Sequence, residues 1–168
     1  MRRVLSMRVL ALAAGLATAG SMTAVALGSP AVAAPRVVVT CGSLSAPAPN
    51  AHHQTKNAAL TGCTSPKATG GKGIIGVLNT AAGGPFSATV KWNHTGTTSI
   101  SYSVAAGTPD EKETRDCPSH TKEFVLSGSV TGGTGAAGKR IPAGSPFSAE
   151  ICVNRKGVTN EPGTKVKF

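Results

Sequence analysis

The sequence predicts an all-β fold, an antiparallel β-sandwich that is immunoglobulin-like or similar, with two disulfides, after a cleaved signal peptide. Three observations favour it. Apolar and polar residues alternate with a period of two in several segments, as half-buried strands require. Gly, Pro and Asn turns separate those segments. No convincing helical pattern follows the amino-terminal segment, and short strands at such intervals are typical of a sandwich.

The first 33 residues have the organisation of a secretory signal peptide. A basic start with Arg2, Arg3 and Arg8 precedes the charge-free apolar run Val9–Leu27, and Ala31-Val32-Ala33 is a small-x-small cleavage signature. We therefore predict a signal peptide over 1–33 and one domain over 34–168. The protein is expected to be secreted, extracellular or cell-wall associated, without a stable membrane span; an uncleaved membrane anchor is the alternative.

The charge of the chain is strongly basic and uneven. It has 17 Lys and Arg and seven Asp and Glu, and every carboxylate lies at Asp110 or later. An exported protein of this charge is attracted to anionic cell-envelope polymers, although scattered lysines also serve solubility alone. We predict such a polymer or an extracellular protein as the partner, and no nucleic acid.

The four cysteines follow the signal peptide, and an even number in an exported domain indicates two disulfides. Three connectivities are possible. Pairing Cys41 with Cys63 and Cys117 with Cys152 closes the shorter loops and is preferred, and each bridge would add roughly 2 to 4 kcal/mol of stability.

The clearest local structure is a hairpin over Pro85–Val104. Apolar residues alternate up to Trp92, and Asn93-His94-Thr95-Gly96 supplies a type I turn with a glycine bulge. Pairing Asn93 with Thr97 would set Val90 opposite Ile100 and Phe86 opposite Val104. The outward face then carries a possible binding surface, formed by Lys91, Thr89, Ser99 and Ser101.

The remaining elements follow from the same patterns. Strands are predicted at Val37–Cys41, Ala58–Cys63, Ile74–Leu78, Lys122–Thr131, Phe147–Val153 and Val166–Phe168. Loops are predicted at Ser43–Asn57, at the acidic segment Gly107–Ser119 and at the glycine-rich segment Gly132–Gly138.

One internal echo aligns without gaps. Gly83–Thr98 and Gly144–Thr159 share Pro-Phe-Ser-Ala and an Asn-x-x-Gly turn. The echo indicates a duplication, two equivalent hairpins in facing sheets, or convergent turn chemistry. Glu161-Pro162-Gly163 interrupts the returning strand of the second copy, since Pro is excluded from central strands.

Catalytic chemistry has little support. His52, His53, His94 and His120 lack a ligand spacing, so neither a metal nor another cofactor is expected. No Gly-x-Ser-x-Gly pentapeptide is present, and nothing in the sequence brings Glu123 and Glu150 together as glycosidase carboxylates. Trp92 and Tyr102 fall on the apolar face, so we interpret them as core residues.

Two resemblances bear on function. The export signal ending at Ala31–Pro35, Gly62-Cys63, Gly70-Gly71-x-Gly73 and Trp92-Asn93-x-x-Gly96-x-Thr98-Ser99 are similar to small secreted proteins of high-GC Gram-positive bacteria (actinobacteria) that have no assigned activity. Over about Cys41 to Val104 this resemblance implies no functional residue. Cys117-Pro118 resembles the Cys-Pro beside the reactive loop of secreted subtilisin inhibitors, which implies Lys122 as a specificity residue.

The sequence therefore favours a secreted, non-enzymatic binding or envelope-associated module. An extracellular protease inhibitor is the second hypothesis, and a small hydrolase is the third.

Overall fold

The computed structural model describes residues 39–65, 68–107 and 117–168, and they contain nine strands and one short helix. The signal-peptide prediction and the acidic residues 108–116 lie outside the described residues. In chain order the elements are β1 (Thr40–Pro47), β2 (Gln54–Ser65), β3 (Ala68–Asn79), β4 (Gly83–Trp92), β5 (Gly96–Ala106), β6 (Lys122–Thr134), α1 (Gly135–Arg140), β7 (Pro146–Val153), β8 (Gly157–Asn160) and β9 (Val166–Lys167).

The strands form a closed antiparallel barrel of eight strands with β9 as an extra strand, so the β-sandwich prediction is wrong. Each of β1 to β7 pairs with the strand that follows it, and β8 closes the barrel by pairing with β1, for example at Ser45 opposite Thr159. Alternation along a strand is the same in a barrel and a sandwich. What separates the two folds is the closing pair β1–β8, which joins distant residues and leaves no local pattern.

Two short strands share one position in the wall. β8 pairs with the end of β1, whereas β9 pairs with its start at Thr40 and Cys41. Asn160 fills the interval between them, because its Oδ1 accepts the Leu44 N–H at 2.9 Å and its Nδ2 donates to the Thr164 carbonyl at 3.0 Å. A side chain thus replaces the missing strand pairing to β1.

The barrel interior is a packed core crossed by a continuous series of aromatic rings. Trp92 packs edge-on against Phe168 with ring centroids 5.3 Å apart, and Phe168 contacts Phe147 at the same distance. Phe147 then contacts Tyr102 at 5.8 Å, and Tyr102 contacts Phe86 at 5.9 Å. Aliphatic side chains from all sides of the wall fill the remaining space, among them Leu44, Leu60, Ile75, Ile100, Leu126 and Ile151.

The β4–β5 hairpin is confirmed, but its predicted register is wrong by two residues. Trp92 faces Gly96, Val90 faces Thr98 and Phe86 faces Tyr102. The connection has the expected three residues but begins one residue earlier, because Gly96, at φ 115°, pairs with Trp92, and His94 takes a positive φ of 55°. A shift of two keeps every side chain on its predicted face.

Two predictions of irregular structure are also wrong in part. Most of Ser43–Asn57 belongs to β1 and β2, which leaves residues 48–53 as the connection. Gly132–Gly138 is the end of β6 followed by α1, whose Ala137 N–H donates to the Thr95 carbonyl at 2.9 Å. Glycine and alanine suit this segment because it packs closely on the β4–β5 turn: a Cβ on Gly135 would lie 2.6 Å from the Thr95 carbonyl oxygen.

Both predicted disulfides are confirmed. Cys41–Cys63 joins directly opposed residues of β1 and β2, and Cys117–Cys152 ties the segment before β6 to β7. The strands predicted near Lys122–Thr131, Phe147–Val153 and Val166–Phe168 are present as β6, β7 and β9. Phe168 itself continues the pairing, because its N–H donates to the Val39 carbonyl at 2.8 Å.

Candidate functional site

A half-open cleft of about 330 Å³ lies on the wall formed by β2, β3 and β4, beside the β4–β5 turn. The strand register builds it in two rows, one of Leu60, Gly73 and Trp92 and the next of Ala59, Ile74 and Lys91. Thr61, Lys72, Asn93 and His94 complete the lining. The cleft therefore exists because β3 pairs with β2 on one side and with β4 on the other.

Trp92 contributes an apolar surface to the cleft because its one polar side-chain atom, Nε1, is hydrogen-bonded within the barrel. Its Nε1–H donates to Thr98 Oγ1 at 2.8 Å, and Thr98 is fully buried. The ring also lies against Gly73, where an added Cβ would be 2.9 Å from Trp92 Cε3. The core interpretation of Trp92 is thus confirmed, and the residue, which is half-buried, also lines the cleft.

The electrostatics of the cleft come from lysines without acidic neighbours in its lining. Lys72 and Lys91 are exposed, on β3 and β4 respectively, and no Asp or Glu is among the ten lining residues. No carboxylate precedes Asp110 in the sequence, so β1 to β5 contribute none to this wall. Opposite charge is absent from the described lining, so the two ammonium groups create a positive potential over an apolar floor.

The four residues of the predicted binding surface lie together on the outer face. Thr89 pairs with Ser99, and Ser101 and Lys91 occupy the flanking rows. Lys91 and Thr89 are exposed, whereas Ser99 and Ser101 are half-buried. Of these four residues, Lys91 alone lines the cleft.

Sequence reasoning missed Lys72 and Ile74 as partners of Lys91. The pairing of Ile74 with Lys91 is a contact between β3 and β4, and no local sequence pattern predicts which strands are neighbours. One signal was available: Ile74 and Ile75 are consecutive, so in a strand one of them must point outward. Ile75 is buried, and Ile74 is 47% exposed.

A second cleft of about 270 Å³ is formed by later elements of the chain, namely β6, β7, β9 and the segment before β9. Its charged lining is mixed, with Glu150 beside Lys165 and Lys167. Glu123 and Glu150 do share the outer face of adjacent strands, since Glu123 faces Cys152 and Val125 faces Glu150. Glu123 does not line this cleft, so the two carboxylates do not flank one ligand space.

The other candidate residues do not converge. His52 and His53 lie in the β1–β2 connection, His94 in the β4–β5 turn and His120 beside the Cys117–Cys152 disulfide. Within residues 39–65, 68–107 and 117–168, no group of three or more His, Cys, Asp and Glu side chains is placed to hold a metal ion. Lys122, the inhibitor-type specificity residue, is paired with Val153 in the barrel wall.

The site and the fold together define a disulfide-bonded antiparallel β-barrel with a basic, apolar-floored cleft. Comparison with protein-family models, with curated proteins and with solved structures found no match. In the part of the chain that the structure describes, no helix has the length and apolarity needed to cross a membrane.

Proposed function

We propose that this protein is a secreted, non-enzymatic binding module and that its β2–β4 cleft engages an anionic polymer of the cell envelope. The observation that carries the proposal is the pair of exposed lysines, Lys72 and Lys91, at a cleft with no acidic residue among its described lining residues. Two formed disulfides are consistent with an oxidising, extracellular location.

The physical basis is attraction between ammonium groups and repeated phosphates or carboxylates. Each exposed ion pair is worth roughly 0.5 to 1 kcal/mol, and salt screens it. A polymer presents many such groups, so weak contacts at one cleft become a measurable affinity through repeated engagement. Binding should therefore fall steeply as ionic strength rises.

The test is sedimentation of the protein with purified Gram-positive wall material that carries teichoic acid. We expect co-sedimentation at low salt and its loss at high salt. The double variant Lys72→Ala/Lys91→Ala should bind about fivefold to thirtyfold more weakly, because it loses two contacts of roughly 0.5 to 1 kcal/mol each.

A charge-matched control separates this cleft from the net charge of the chain. Lys165→Ala/Lys167→Ala removes the same two charges from the second cleft. Wild-type-like binding of this variant supports the β2–β4 cleft. Equal losses in both double variants would mean that overall charge alone attracts the polymer, and absence of sedimentation at low salt would reject envelope binding.

A further inference from the structure

The floor of the β2–β4 cleft is hydrocarbon, although its edges are cationic. Ile74 is 47% exposed, and it lines the cleft together with the half-buried residues Ala59 and Trp92. The phosphate or carboxylate groups of a polymer gain no affinity from contact with such an apolar surface. Apolar area that a ligand covers adds affinity in proportion to the area removed from water.

The contacts of Trp92 indicate what this floor can hold. Sugar recognition uses the face of an exposed aromatic ring and often its N–H donor. Here the ring lies against Gly73 and packs edge-on to Phe168, and Nε1–H is committed to Thr98. The floor is therefore suited to aliphatic chain more than to a stacked, hydrogen-bonded sugar.

The polar groups stand at the edge of this floor. Lys91 lies directly across from Ile74 in the strand register, and Lys72 and Asn93 also line the cleft. The Asn93 backbone N–H donates to the Lys72 carbonyl at 3.1 Å, whereas its side chain makes no hydrogen bond to the described residues. Ammonium groups and a carboxamide donor are suited to a phosphate or carboxylate head group.

We propose that the cleft binds a single-chain anionic amphiphile, with its head group between Lys72 and Lys91 and its first methylenes against Ile74 and Trp92. This proposal rests on the proposed function, because the same lysines take the anion, and it names the ligand class. About 330 Å³ is near the lower limit of ligand pockets, roughly 300 to 1,000 Å³. Such a space holds one head group and a short apolar segment, and the rest of the alkyl chain can extend out through the open side.

The chain carries a reporter for this test, because Trp92 is its single tryptophan. The protein is titrated with hexyl, octyl and decyl phosphate below their micelle concentrations, with inorganic phosphate and octyltrimethylammonium as controls, while Trp92 fluorescence is recorded. Each methylene that the cleft buries should strengthen binding about fourfold, up to the length that fits. The cationic control should not bind.

Affinity that is the same for inorganic phosphate and for all three alkyl phosphates would overturn the inference. The proposed function would survive that result if wall polymer still sedimented with the protein in a Lys72- and Lys91-dependent way. Conversely, chain-length dependence without polymer binding would support the amphiphile site and reject the polymer.

Ile74→Ser and Val77→Ser form a matched pair of variants. Both residues are exposed aliphatic side chains of β3, at 47% and 42%, but Val77 does not line the cleft. Ile74→Ser should weaken octyl phosphate binding about tenfold and leave the response to inorganic phosphate unchanged, whereas Val77→Ser should leave both unchanged. Equal effects of the two variants would contradict a site confined to the cleft.

Vesicles distinguish a free amphiphile from a bilayer surface. Sedimentation with phosphatidylglycerol vesicles should be weaker than binding of octyl phosphate at equal lipid concentration, because a packed lipid must leave its neighbours to enter the cleft. Tight vesicle binding that Ile74→Ser and Val77→Ser weaken equally would show that β3 lies on a membrane surface, and would overturn the single-amphiphile proposal.

Discussion

The two hairpins of the internal echo, β4–β5 and β7–β8, use the same Asn-x-x-Gly turn in different ways. In the β7–β8 turn, Asn154 Oδ1 accepts the N–H groups of Lys156 and Gly157 at 2.7 and 3.0 Å. In the β4–β5 turn, the Asn93 side chain makes no such bond within the described residues. The β7–β8 turn is therefore held by its own Asn side chain, whereas the β4–β5 turn is held by neighbouring elements.

Those neighbours are β3 and α1. The Lys72 carbonyl accepts the Asn93 N–H, and the Thr95 carbonyl accepts the Ala137 N–H. External support leaves the Asn93 carboxamide available beside the cleft. The same turn motif is therefore structural in one place and leaves its Asn side chain free for binding in another, depending on what packs against it. Both hairpins lie in one barrel wall, so the alternative of two hairpins in facing sheets is wrong.

The largest expected effect is at the glycine of the supported turn. Gly96 has φ 115°, and an added Cβ would lie 2.0 Å from the Thr134 carbonyl oxygen. Gly96→Ala should therefore lower the free energy of unfolding by about 3 kcal/mol or more, measured by urea denaturation. Gly157→Ala should cost less, because that glycine lacks a positive φ, although its Cβ would meet the Ala46 carbonyl oxygen at 2.5 Å.

Gly132 provides the control for Gly96, since a Cβ there meets nothing within 4 Å. Gly132→Ala should change stability by less than about 0.5 kcal/mol. A loss at Gly96 no larger than that at Gly132 would show that the turn yields to the substitution and that α1 does not hold it.

The next effect concerns Tyr102, which has no equivalent in the β7–β8 hairpin. Tyr102 lies on β5, where the echo places Gly163 after the interrupting proline. Its hydroxyl accepts the Asn79 N–H at 2.7 Å and donates to the Asn79 carbonyl at 3.3 Å. Tyr102→Phe should cost about 1 to 3 kcal/mol, because it leaves both backbone groups without this partner.

The same tyrosine gives stability a pH dependence. Burial raises the pKa of Tyr102 above 10.0, against the opposing effect of the Asn79 hydrogen bond. On raising the pH the unfolded chain loses this proton first, so stability is intact below about pH 10 and falls as pH rises further. Urea unfolding from about pH 8 to about pH 11 should show a steeper decline for the wild type than for Tyr102→Phe. Parallel curves would contradict a raised pKa.

The sequence allowed prediction of what depends on neighbouring residues. Alternation located the strands of the β4–β5 hairpin and their inward faces, and loop length gave the disulfide pairing. The register was predicted wrongly by two residues because a shift of two leaves every side chain on the same face, so the alternation fits both registers equally well. Barrel closure and the cleft both depend on pairings between distant strands, such as Ser45 with Thr159 and Ile74 with Lys91, which no local pattern encodes.

The smallest expected effect concerns the Asn side chains of the two turns, which have different roles. Asn154→Ala removes two hydrogen bonds that close the β7–β8 turn and should cost about 1 to 2 kcal/mol in urea unfolding. Asn93→Ala should leave stability within about 0.5 kcal/mol of the wild type, because backbone contacts with β3 and α1 hold its turn. Ligand titration should show the reverse order, with octyl phosphate binding weakened by Asn93→Ala and unchanged by Asn154→Ala. If the two variants lose equal stability, the Asn93 side chain closes its own turn, and the carboxamide is not reserved for the cleft.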